Sequence, residues 1–133
     1  MKKVIMLAAM LVVLSCDVII VEPQYDVRTQ LVGSYWVEEY SKTYDVYTGY
    51  SIWLSKGGGQ SSIYLDNFYD ADISVRGEVS NNKVFIPWQV VDGYEIEGVG
   101  TLYGTTLSLS YRVRDTYYNT LTDFCESEAK RSR

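Results

Sequence analysis

A chain of 133 residues is one domain's worth of polypeptide, enough for a single core. Acidic side chains outnumber basic ones by 17 to 12, for a net charge of −5, which argues against nucleic acid as a partner because phosphate recognition relies on clustered Lys and Arg. There is no histidine, which removes the commonest general base and the commonest zinc ligand.

Met1-Lys2-Lys3 gives a short positive start, and residues 4–14 (VIMLAAMLVVL) are an uncharged apolar run too short to span a bilayer. That combination predicts a secretory signal. The run ends in Val13-Leu14-Ser15-Cys16, two apolar residues, a small one and a cysteine, and this resembles a bacterial lipobox. The resemblance implies cleavage before Cys16, a diacylglyceryl group on its thiol and acylation of the new amino terminus. Three acyl chains are enough for stable anchoring. Residues 1–15 are then a lipoprotein signal peptide and the mature chain is expected in the cell envelope, held to the membrane, the outer one by expectation, through acyl chains on Cys16. Loss of Lys2 and Lys3 takes the net charge from −5 to −7, so the acyl chains and not a basic patch must supply the membrane affinity. A thioether at Cys16 leaves Cys125 without a disulfide partner; an unmodified Cys16 leaves a Cys16–Cys125 bridge as the competing reading.

Residues 16–30 contain one proline and no clear period, and are expected to be a lipidated tether. The apolar stretch 18–21 (VIIV) could equally pair as an edge strand. From Leu31 to the end the pattern is β. Thirteen tyrosines, three tryptophans and many Val, Ile and Thr favour a pleated surface, and turn signals recur at the intervals of an all-β barrel or sandwich. Strands are predicted at 31–40, 44–55, 61–66, 71–79, 83–90, 94–103 and 106–114. Breaks fall at Lys56-Gly57-Gly58-Gly59, 67–70, Ser80-Asn81-Asn82, Asp92-Gly93 and Gly104-Thr105. Alternation is clearest in the seventh strand, where Leu107, Leu109, Tyr111 and Val113 share one face and Thr106, Ser108, Ser110 and Arg112 the other. Gly33, Gly77, Gly98 and Gly100 fall on predicted buried faces, where strands must bend. Residues 120–129 read either as a short helix opening at Thr120-x-x-Asp123 or as an eighth strand with Leu121, Asp123 and Cys125 on one face. The open edge that seven strands would leave favours the strand.

The runs Leu31-Val32-Gly33-Ser34-Tyr35, Ile63-Tyr64-Leu65-Asp66-Asn67-Phe68-Tyr69, Val84-Phe85-Ile86-Pro87-Trp88-Gln89 and Glu97-Gly98-Val99-Gly100, with a strand carrying Tyr111, resemble small bacterial lipoproteins with a calycin-like (lipocalin-like) domain. The resemblance implies an all-β, eight-stranded antiparallel up-and-down barrel over residues 31–133 and a lipid-binding or unassigned role. It carries no catalytic residue. Lipocalins proper have Gly-x-Trp in the first strand; here Gly33-Ser34-Tyr35 puts tyrosine there, and Trp36, one residue late, points to the opposite face.

Asp66, Asn67, Asp70 and Asp72 around one turn lack the spacing of a calcium loop, so no metal or other cofactor is expected. Cys125 has no histidine to activate it. Glu38-Glu39 and Glu95/Glu97 read as solvated charges, and Gly57-Gly58-Gly59 as a hairpin tip, since no Lys-Ser/Thr follows it. The chain is therefore not expected to be an enzyme. A barrel of eight strands is just wide enough to be filled by side chains or to hold one small ligand. The first expectation is a small apolar or amphipathic ligand, with Tyr35, Tyr94 and Tyr111 as candidate pocket residues. The alternative is a rigid scaffold for an envelope protein, inhibitor or accessory subunit, contacting its partner through the aromatic first hairpin at Tyr47 and Trp53.

Overall fold

The computed structural model describes residues 25–118 and 121–132. The signal peptide, Cys16 and the 18–21 stretch lie outside the described residues. The strands are β1 (Gly33–Ser41), β2 (Val46–Lys56), β3 (Ser62–Phe68), β4 (Ile73–Ser80), β5 (Lys83–Val91), β6 (Tyr94–Tyr103), β7 (Thr106–Asp115) and β8 (Asp123–Arg131). Each pairs antiparallel with the next, and β8 returns to β1, closing an up-and-down barrel. This is the predicted all-β architecture, consistent with a calycin-like fold. The ambiguous end of the chain is a strand, hydrogen-bonded on one side to β7 and on the other to β1.

Side-chain parity sets the interior. Tyr35 and Val37 on β1, Ile52 and Leu54 on β2, Ile63 and Leu65 on β3, Val75 on β4, Val84 and Ile86 on β5, Ile96 on β6 and Leu107, Leu109, Tyr111 and Val113 on β7 are buried, while their neighbours face out. Gly98 stands opposite Tyr111 on β7. A Cβ there would lie 2.4 Å from the Tyr111 Cβ and 2.7 Å from the Ser110 carbonyl oxygen, so only glycine lets the two strands approach this closely.

Two bulges shape the wall. One falls between Asp66 and Phe68, the other between Ile86 and Gln89, where Pro87 has no N–H to give to a ladder. Beyond the second bulge β4 and β5 separate, their pairing limited to residues 78–80 with 83–85. The Gln89 side chain spans the gap: its Oε1 accepts from the Arg76 N–H at 3.0 Å and its Nε2 donates to the Arg76 carbonyl at 2.8 Å. A second separation opens between β2 and β3, which pair only over residues 53–56 and 63–66.

One end is closed. A 3-10 helix, Val27–Gln30, precedes β1, and Asp26 caps it by accepting from the Arg28 N–H. The Arg28 side chain is buried and donates to the carbonyls of Gly57 and Ser62, at 3.3 and 2.9 Å, while pairing with Asp26 at 2.9 Å. Lys56 reaches the same carboxylate at 3.1 Å. The Arg28 guanidinium holds the Asp26 carboxyl well below the usual carboxylate range, with Lys56 adding to the effect. Gly33, at φ +143°, turns the chain from this helix into β1 with a backbone that a side chain would strain. Thus the last residues of the expected tether fold onto the barrel.

Candidate functional site

The other end of the barrel is open. The turns β1–β2, β3–β4, β5–β6 and β7–β8 surround it, and inward parity delivers an unusual set of side chains below them. Continuing the apolar face of β1 past Tyr35 and Val37 gives Glu39 and Ser41; the inward face of β8 reads Asp123, Cys125, Ser127 and Ala129. All of these are buried, Glu39 and Asp123 at 5% and 4% exposure.

Five hydroxyls hold the two carboxylates. One oxygen of Glu39, Oε2, accepts from Tyr50 at 2.6 Å, from Ser127 at 3.2 Å and from Tyr111. Asp123 accepts from Ser41 through Oδ1 and from Tyr69 through Oδ2, each at 2.5 Å. Among the described residues neither carboxylate has a Lys or Arg in ion-pair contact, although Arg28, Lys42, Lys56, Arg76, Arg112 and Arg114 all pair with other acids. The chemistry of the cluster follows from burial. Desolvation pushes the phenols of Tyr50, Tyr69 and Tyr111 far above their ordinary value, and the neighbouring carboxylates reinforce the shift. The Cys125 thiol is pushed up for the same two reasons, which makes it a poor nucleophile at neutral pH.

Above the cluster lies a cavity of about 350 Å³, lined by Glu39, Ser41, Tyr44, Val46, Thr48, Tyr69, Asp70 and Asp123. It opens where the upper half of β2 has left β3. The β3–β4 turn forms its rim under backbone strain: Asn67, Tyr69, Asp70 and Asp72 all have positive φ, between 54° and 63°. Asn and Asp tolerate this conformation; tyrosine does so at a cost of roughly 1–2 kcal/mol. The Asn67 side chain fixes the turn, donating to the Ser51 carbonyl at 2.8 Å and accepting from the Asp72 N–H at 3.0 Å. The result is that Tyr69 is turned inward onto Asp123, edge-on to Tyr94 and Tyr111 at 6.3 Å.

The sequence-predicted pocket residues separate. Tyr111 lies in the floor of the mouth, its ring tilted against that of Phe68 with centroids 4.5 Å apart. Tyr94 is half-buried behind Tyr69. Tyr35 belongs to the closed end: its hydroxyl donates to the Leu31 carbonyl at 2.8 Å, and the Arg131 guanidinium lies 5.6 Å over its ring. Tyr47 and Trp53 are on the outer wall, 79% and 52% exposed, with Tyr47 stacked on Tyr40 at 4.7 Å. Trp36 is also outside and covers Gly49, where a Cβ would meet its ring at 2.7 Å. Glu95 and Glu97 pair outside with Arg114 and Arg112. Among the described residues no group of three or more Cys, Asp or Glu is placed to hold a metal ion.

Sequence reasoning passed over Glu39, Asp123, Ser41 and Ser127 as site residues. The available signal was parity: two residues beyond a buried valine, an acid falls on the inside face.

A scan against models of known protein families finds none that matches this chain. A search of curated proteins finds no relative.

Proposed function

We propose that this chain is a lipid-anchored envelope protein whose barrel takes a small amphipathic ligand at its open mouth and performs no bond-making chemistry. The carrying observation is the cavity of about 350 Å³ standing on a buried floor of hydroxyls and carboxylates at the open end of the barrel. That volume falls within the range of small-molecule sites, and its wall joins aromatic and apolar surface (Tyr44, Val46, Tyr69) to a few convergent polar groups. A non-catalytic role is supported by Cys125, whose thiol is buried and held protonated, and by the absence of histidine from the sequence. The anchor rests on Val13-Leu14-Ser15-Cys16 in the sequence.

Native mass spectrometry of the gently purified full chain tests the binding reading. A population carrying a few hundred extra daltons on top of the acylated mass is expected, and it should disappear when Thr48→Trp fills the mouth. A bare mass under every condition of release overturns it. Metabolic labelling with a palmitate probe tests the anchor: label is expected on the wild type and lost in Cys16→Ala.

A second reading is favoured by the outer wall. Tyr40, Tyr47, Trp36 and Trp53 put four aromatic rings on the outside of one hairpin, beside a stretch of β2 that has no strand on its other side. Such a surface suits a protein partner in the envelope. Pull-downs with the double variant Tyr47→Ser, Trp53→Ser should then lose that partner; retention of every partner removes this surface from consideration.

A further inference from the structure

We infer that the ligand of the barrel mouth carries a protonated amine, seated between Glu39 and Asp123 with its apolar part against Tyr44, Val46 and Tyr69. This rests on the reading of the mouth as a ligand site and adds the charge of the occupant.

Three observations carry it. First, two carboxylates more than nine-tenths buried face a cavity, and among the described residues no cation compensates either of them. Buried charges are stable when paired, and the barrel supplies neutral hydroxyl donors only. Second, Glu39 is used on one side alone. Its Oε2 accepts from Tyr50, Ser127 and Tyr111, while no described donor reaches Oε1. A carboxylate clamped through one oxygen presents the other, with its orientation already fixed, to an incoming N–H donor. Third, the rest of the lining suits a cation. Asp70 adds a third acid at the rim, no basic residue lines the cavity, and Tyr44 and Tyr69 put into its wall aromatic rings, a group that attracts ammonium ions.

The size of the cavity selects a small organic amine over a peptide. A metal ion is the poorer match, because the described residues bring no three Cys, Asp or Glu together as ligands. An anionic lipid or fatty acid would set like charge against Glu39, Asp123 and Asp70, and is disfavoured for that reason.

The test is a set of three probes on one phenethyl frame, phenethylamine, 2-phenylethanol and 3-phenylpropionate, titrated by NMR into the full chain with its amino terminus as the cell leaves it. The amine should bind at least about tenfold more tightly than the alcohol, and the carboxylate should bind least. In Glu39→Gln and Asp123→Asn, which keep acceptors for the tyrosines, the preference for the amine should collapse while affinity for the alcohol stays within about twofold of wild type. Thr48→Lys is the variant that does not disturb the buried cluster. Thr48 lies opposite Glu39 on β2 at the exposed lip, so a lysine there places the protein's own ammonium in the site and should weaken the amine about tenfold.

If the alcohol or the carboxylate binds as tightly as the amine, the amine inference is overturned and the ligand-binding reading stands. Unchanged amine preference in Glu39→Gln, Asp123→Asn and Thr48→Lys overturns it equally. If no probe moves any resonance of the mouth and native mass spectrometry also finds only bare protein, both readings fall together.

Discussion

The two ends of this barrel solve the problem of a buried charge in opposite ways. At the closed end the buried Arg28 pairs with a half-buried counter-charge, Asp26, and one of its terminal nitrogens meets the carbonyls of Gly57 and Ser62. At the mouth Glu39 and Asp123 are buried with hydroxyls alone, beneath open space. A charge balanced within the chain serves a structure that does not change. On the reading proposed above, the acids left without a cation await a charge that arrives from outside. The contrast divides the barrel into a half whose buried charge is paired within the chain and a half whose buried acids face open space.

The comparison can be broken most completely from the mouth by alkali. The phenols of Tyr50, Tyr69 and Tyr111 are raised far above their ordinary value of 10 by burial and by the adjacent acids. A proton held more tightly in the folded chain stabilises it fully below pH 10, and that contribution is lost as the pH climbs above 10 toward the native values. Phenolate absorbance followed together with circular dichroism should therefore show exposed tyrosines ionising first and the buried ones only in step with unfolding. One smooth transition of all thirteen near pH 10 in an intact barrel would contradict it.

A smaller effect, confined to the closed half, is expected from Leu54→Ala. Leu54 is fully buried, and its truncation should cost about 2–5 kcal/mol in urea unfolding, without changing the probe preference at the mouth. Glu39→Gln should do the reverse. It keeps an acceptor for the three hydroxyls and removes a carboxylate that has no cation, so stability should move by less than about 1 kcal/mol while the preference for the amine is lost. The smallest change belongs to the outer wall. Trp53→Ser alone should alter stability by roughly 0.5 kcal/mol, because its ring is half in solvent and packs in no interior.

Strand positions were legible because two properties coincide along most of the chain: alternation of apolar residues and turn residues that tolerate φ > 0. Asp92-Gly93 and Asn81 behave as the sequence predicts, with positive φ at Asp92, Gly93 and Asn81. The 67–72 turn was legible only as a turn. Nothing local says that Tyr69 will be rotated inward onto Asp123, since that contact joins residues 54 positions apart. The site was half legible. Tyr111 was expected inside and is; Glu39 was read as a solvated charge because glutamate is so seldom buried without a partner. Tyr35 was expected in the pocket because parity gives the face of a strand and not the height along the barrel axis. Its height is set by Arg131 and Leu31 at the closed end.

Sequence alone determined that this chain would form antiparallel strands with one face buried, since alternation with a period of two residues matches the pleat of a sheet and not the turn of a helix, and the expectation of a lipid anchor rests on its first sixteen residues alone. Tertiary structure alone decided that the barrel has a sealed end and an acidic mouth. That outcome depends on which strands stay paired to their full length, on β2 parting from β3, and on a β8 carboxylate meeting tyrosine from another strand's turn. Those are long-range contacts, and no window of sequence contains both of their partners.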